Sequence, residues 1–210
     1  MKIAPILLIV FALAACTQGY QYALLPNVAA GLRLEGIEVD ASHADFTWGA
    51  AARAYAASIG KPNEAVSLAS TPQARAYMGA MADKSIKAAF EKAFAGRLEQ
   101  GQKKVWIDVT VRKITLASVL QRIVFGGNYD MTADVDLVDA SSGQVIMPNH
   151  GLSTRMLAGN GIAGAMIDPL FGKPVDRLAA NLAKSYRNWL LPNPGEGLAA
   201  RPGQAGQSHV

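Results

Sequence analysis

Two stretches of strict alternation set the frame of this chain. Val105, Ile107, Val109 and Val111 alternate with Trp106, Asp108, Thr110 and Arg112, which predicts a half-buried strand. Tyr129, Met131, Ala133, Val135 and Leu137 alternate in the same way with Asp130, Thr132, Asp134 and Asp136, a second strand of the same kind. Leu32-Arg33-Leu34 and Ile37-Glu38-Val39 also alternate, but the two halves are out of phase across Glu35-Gly36. A bulge at Gly36 brings both halves onto one face. Asp139 to Gly143 is turn chemistry, and Gln144 to Met147 starts a return strand. The apolar but irregular run from Ile114 to Phe125 reads as a long connection or an extension of the strands.

Helical spacing is clearest from Pro72 to about Ala95. Met78, Ala82, Ile86, Ala89, Phe90 and Ala93 recur at steps of three and four and form one apolar stripe. Thr71 is placed to cap the first turn, Pro72 suits the first helical position and Gly96 suits the exit. Pro174 to Leu190 repeats the pattern, with Val175, Leu178, Leu182, Tyr186 and Trp189 on one face. Ala50 to Ile59 is alanine-rich and helical, stopped by Gly60 and Pro62. Strands with one polar and one apolar face imply a sheet covered on one side. The predicted fold is therefore α+β, a three- to four-stranded, mainly antiparallel sheet with two long helices packed on one face.

The start of the chain carries a different signal. Lys2 is followed by an apolar run from Ile3 to Leu13, about eleven residues, against the roughly 20 that a spanning helix needs. Two alanines then precede Cys16, as in a secretory signal. Leu13-Ala14-Ala15-Cys16 resembles the lipobox of bacterial lipoprotein precursors. The resemblance implies cleavage before Cys16, a diacylglyceryl thioether on its sulfur and an amide-linked chain on its freed amine. Two or more acyl chains anchor firmly where one is marginal. In that family's sorting rule an acidic residue after the cysteine retains the protein at the inner membrane. Thr17 thus implies the periplasmic face of the outer membrane.

A second resemblance lies in the strands. Val105-x-Ile-x-Val-x-Val-Arg112, then Ala133-x-Val-x-Leu-Val-Asp139-x-x-Ser-Gly143-x-x-Ile146, is similar to a group of small uncharacterised bacterial lipoproteins with a mixed α/β domain. Gln144 stands where that group often has an acidic residue. The group has no established activity, so no functional residue carries over beyond Cys16.

The expected organisation is a signal peptide over 1–15, a lipidated cysteine and tether over 16–30, one α+β domain over 31–191 and a disordered tail over 192–210. Proline, glycine, glutamine and serine dominate that tail and cannot build a core. Cys16 is the single cysteine, so no disulfide forms within one copy. Half of the residues are hydrophobic, which lets apolar burial supply the core. The formal charge of +4 comes without the clustered Lys/Arg stripe of a nucleic-acid binder, and no nucleic-acid partner is expected.

Chemical motifs are weak. Gly159-x-Gly161-x-x-Gly164 is followed four residues on by Asp168-Pro169, without the strand, helix and distant acid of a dinucleotide site. Ser58-x-x-Lys61 matches a serine acyl-transferase pattern, but Gly60 breaks the turn and the companion motifs are missing. Asp108, Asp130, Asp134 and Asp136 can gather on the polar sheet face, read as a solvated surface rather than a calcium site. His43, His150 and His209 have no metal-ligand spacing. No metal, cofactor or catalytic residue is assigned. The glycine-rich Gly151–Gly172 segment reads either as core, with Leu170 and Phe171 extending a helix, or as a contact surface built on Leu157, Ile162, Met166 and Ile167.

The function expected is that of a non-enzymatic, lipid-anchored envelope protein, an accessory or assembly factor. It meets the membrane through acyl chains on Cys16, with an envelope protein or further copies of itself as partner. A self-associating structural lipoprotein is the alternative, and a cell-wall or lipid hydrolase with a dispersed site is the third reading.

Overall fold

The computed structural model describes residues 23–118, 127–158 and 173–191. Their elements are, in order, α1 (Pro26–Ala30), β1 (Leu32–Asp40), β2 (Asp45–Trp48), α2 (Gly49–Ser58), a short 3-10 turn (Pro62–Glu64), α3 (Ala65–Leu68), α4 (Pro72–Phe94), β3 (Lys103–Leu116), β4 (Asn128–Asp139), β5 (Val145–Met147), β6 (Leu152–Leu157) and α5 (Pro174–Leu190).

Strand β3 lies at the centre of a six-stranded mixed sheet. On one side β1 runs parallel to Lys103–Thr110 and β2 runs parallel to Lys113–Leu116. On the other side β4 is antiparallel along the whole of β3. Beyond β4, β6 pairs antiparallel with its first half and β5 with its second. The sheet is thus four ranks wide, with each outer rank made of two strands laid end to end. This corrects the expected count of three to four strands and two helices, while three of the five strand pairings are antiparallel. There are six strands with two parallel pairings, and five α-helices among the described residues. The parallel pairings arise because the chain crosses from β2 to β3 through α2, α3 and α4, and a parallel return needs such a crossover.

The expected bulge is present. Leu34 pairs with Val105 and Gly36 with Trp106, so Glu35 is the extra residue. Leu32 and Ile37 are buried, and Leu34 and Val39 pack against them on the same face. Gly36 is required there, since a Cβ would stand 2.4 Å from the Trp106 ring. A second bulge at Arg112 of β3 lies in the gap between β1 and β2. It sends Arg112 and Lys113 to the outer face and returns Ile114 to the core. Ile114–Leu116, irregular in the sequence, extends β3.

Helices α4 and α5 cover the inner face of the sheet. Thr71 Oγ1 accepts from the Ala74 amide at 3.3 Å and Pro72 opens α4. Its 23 residues span about 35 Å at 1.5 Å per residue. Met78, Ala82, Ile86, Phe90 and Phe94 are buried from α4, and Val175, Leu178, Leu182, Tyr186 and Leu190 from α5. Where the helices meet, Tyr186 packs on Phe90, Phe94 and Trp189 with ring centroids 5.5–6.1 Å apart. Its hydroxyl finds no partner among the described residues, and burial pushes its ionisation far up. The amides of Ala23 and Leu24 donate to the carbonyls of Trp189 and Leu190, so the first described residues run beside the end of the last helix.

The face assignment makes a direct prediction. Val109 is buried and Thr110, its neighbour in β3, is exposed. Burying a valine contributes about 1.5–3 kcal/mol and an unpaired carboxylate in its place adds a further cost. Against a total near 5–15 kcal/mol, Val109→Asp is expected to unfold most of the population while Thr110→Asp leaves the melting temperature near that of the unchanged protein. Equal melting temperatures would contradict the assignment.

Candidate functional site

An apolar cleft opens where β2, α2, α3 and α4 meet. It encloses about 500 Å³ and is lined by Phe46, Trp48, Ala52, Ala65, Val66 and Met78, with Thr47, Arg53 and Asn63 as its polar groups. The local sequence explains the wall. Phe46 and Trp48 lie two apart in β2 and so point to the same side. Ala52 of α2, Ala65 of α3 and Ala69 line the cleft, and their short side chains leave space that larger residues would fill. The Tyr55–Tyr77 ring contact, centroids 5.6 Å apart, ties α2 to α4. Trp48 and Met78 are buried in the same core.

The rim has two features of its own. Val66 is 93% exposed, so an apolar surface continues outward from the cleft. Arg53 follows the first turn of α2, and a Cβ on Gly49 would stand 3.5 Å from Arg53 Nη1. No side chain caps that turn and it holds no acidic residue, which leaves its field favourable to negative charge. No acidic residue lines the cleft. A volume of this size suits a small organic molecule.

The outer sheet face is polar and largely self-neutralised. Arg112 pairs with Asp134, its Nε 2.6 Å from the carboxylate. Arg155 pairs with Asp130 at 2.5 Å, and Arg33 and Lys104 flank Glu35 at 3.0 and 3.3 Å. Lys103 and the amides of Ser141 and Ser142 hold the Asp139 carboxyl well below the usual range. Asp136 accepts from the Asn149 amide, and His150 Nε2 lies 3.4 Å from it. Glu38, Asp108 and Asp136 form one row across β1, β3 and β4. Burial first, then the charges of Glu38 and Asp136, raise the Asp108 carboxyl above its ordinary value. Among the described residues no group of three or more His, Cys, Asp or Glu side chains is arranged to hold a metal ion.

The residues singled out in the sequence fall apart on inspection. Ser58 Oγ donates to the Tyr55 carbonyl at 2.7 Å, and Lys61 pairs with Glu64 at 3.1 Å, so the Ser58–Lys61 spacing builds no nucleophile and base. Asp108, Asp130, Asp134 and Asp136 do share the outer face, each on its own strand position. Leu157 ends β6, a strand inside the segment read as glycine-rich core or contact surface, and is 81% exposed. Cys16, Ile162, Met166, Ile167, Leu170, Phe171 and the glycines 159–164 lie outside the described residues, as does the expected tail. The cleft was not anticipated. The Phe46/Trp48 alternation before the alanine-rich helix covers only four residues and is too short to announce it.

No family model matches the chain and no curated protein matches it. Among solved structures, a candidate lipoprotein from Caulobacter crescentus is 18% identical with a TM-score of 0.32, covering 52% of this chain and 80% of its own. A dodecameric PelC variant from Paraburkholderia phytofirmans is 14% identical with a TM-score of 0.36, covering 75% of this chain and 88% of its own. Likenesses this remote transfer neither fold nor function.

The acidic row yields a pH-dependent expectation. Because folding raises the Asp108 pKa, the folded chain keeps a proton that the unfolded chain has lost between the ordinary carboxyl value and the raised one. Falling pH through that window favours the folded state. Asp108→Asn should therefore stabilise the domain at neutral pH, by about 0.2–1 kcal/mol for relief of opposed like charges. The gain should shrink as pH falls through the window and vanish below the ordinary carboxyl value of 3.8. Urea midpoints at neutral and acid pH measure it; a gain that is independent of pH would show that the charge of Asp108 is not its source.

Proposed function

We propose that the chain is a lipid-anchored protein of the bacterial envelope that works by binding rather than by catalysis. The observation that carries this is the junction between Cys16 and the domain. Six residues lie between Cys16 and Ala23, seven steps along the chain, and Ala23 is already hydrogen-bonded to the end of α5. At about 3.5 Å per residue, acyl chains on Cys16 hold the domain within about 25 Å of the bilayer surface. Exposed Leu25, just before α1, and Val28 within it lie beside that junction. No helix among the described residues is long and apolar enough to cross a membrane, and on this reading attachment comes from the acyl chains. Thr17 supports the periplasmic face of the outer membrane, and an assembly or accessory role fits a domain held at that distance.

A second reading, self-association, is favoured by the β5–β6 margin of the sheet, where Val145 and Leu157 are both exposed. Edge strands carry unpaired backbone groups that invite pairing with a further copy.

Two experiments separate these readings. With radioactive palmitate, the unchanged chain should take up label and Cys16→Ser should not, and the mutant should leave the anchored pool. Equal labelling of the two would defeat the lipoprotein reading. In sedimentation velocity, a self-associating chain runs as a larger species that Leu157→Ser returns to monomer; a monomeric unchanged chain removes the second reading.

A further inference from the structure

We propose that the cleft between β2, α2, α3 and α4 binds a single-chain anionic amphiphile, its acyl chain lying on the apolar wall and its carboxylate or phosphate meeting Arg53. The proposal goes beyond the anchoring of the chain and does not rest on acylation of Cys16.

The first observation is the composition of the wall. Phe46, Trp48, Ala52, Ala65 and Met78 form a continuous apolar surface around about 500 Å³. Val66, almost fully exposed, extends that surface past the rim. A ligand matched to this shape has an apolar body that can run out of the mouth, as an acyl chain does. The wall offers it no carboxylate.

The second observation is charge. Arg33, Arg112 and Arg155 are each paired with a carboxylate. Arg53 makes no hydrogen bond or ion pair with any described residue, and neither does the side chain of Asn63 across the mouth. The uncapped first turn of α2 adds to the same field. A guanidinium beside an apolar wall, with no acid in the lining, is complementary to a negative head on an apolar chain. A neutral or cationic amphiphile would leave Arg53 unused or repel it. A charge-assisted hydrogen bond to a guanidinium sets the expected loss on its removal at about tenfold in affinity.

The chemistry admits two sources, a free fatty acid and a lysophospholipid, and competition tells them apart. Native membranes carrying the full chain are irradiated with a dodecanoate analogue bearing a terminal diazirine, and the cross-linked peptides are identified. Labels are expected on peptides covering residues 46–53 and 62–69. Arg53→Glu should lower the yield about tenfold while Arg53→Lys retains most of it. Ala69→Phe, which fills the rim from a half-buried position, should abolish it. Arg53 is exposed, so its variants keep the test open should Ala69→Phe fail to fold. Displacement by unlabelled dodecanoate alone assigns a fatty acid, displacement by lysophosphatidylglycerol alone assigns a phospholipid, and displacement by both supports the shared chemistry. Cross-linking spread evenly over the chain, unaltered by Arg53→Glu, or competed equally by dodecanol would overturn the proposal. The Cys16→Ser chain, irradiated in whole-cell lysate because it is expected to leave the membrane, should still be labelled, so failure of the anchor reading and failure of this one remain distinct.

Discussion

Burial of the inner face of β3 is the constraint on which the other elements depend. Val105, Ile107, Val109, Val111 and Ile114 are all buried, and β3 is the strand to which β1, β2 and β4 each pair. A strand in that position must keep its apolar side facing one way over 14 residues, although a one-residue slip turns every side chain to the opposite face. The two bulges serve that requirement from both sides of the pairing. In β1 the extra residue restores phase between Leu34 and Ile37, and in β3 it restores phase between Val111 and Ile114. Helices α4 and α5 then have one continuous apolar surface to cover.

The elements with a long repeat were legible in the sequence because each carries its own periodic record. The long helices and the two central strands show four or more apolar positions at one spacing, and the Gly36 bulge showed as a break in phase. What the repeat does not record is the partner. Alternation states which side of a strand is buried and says nothing of whether its neighbour runs parallel, so the two parallel pairings were not read from it. Strand β2 has four residues, too few to show a period. In β6 the inner register is Leu152, Thr154 and Met156, and the threonine interrupts the apolar signal.

The cleft was illegible for a different reason. Its lining spans residues 46–78 and several elements, and its defining property is space left by alanines rather than chemistry offered by any motif. A sequence reports which groups are present, whereas a void depends on how far apart the backbone holds them. The reverse holds for the outer face. Its carboxylates were visible as Asp108, Asp130, Asp134 and Asp136, and three of them face a basic side chain on the sheet or on the loop beside it. Only Asp108 stands between two like charges. That arrangement costs stability at neutral pH.

The contact between Ala23–Leu24 and Trp189–Leu190 has a mechanical side. On the proposed anchoring through Cys16, displacement of the domain arrives as tension at Ala23. Two backbone hydrogen bonds share that tension with the final turn of α5, while the chain itself runs on from Leu24 through α1 into β1. Once those two bonds open, the covalent chain delivers the load through α1 to the start of β1 and its pairing with β3. The β5–β6 margin, on the far side of β4 from β3, is spared. Under such a pull the protein would give first at the Ala23–Leu24 contact and then at the start of β1, and keep its far sheet edge intact.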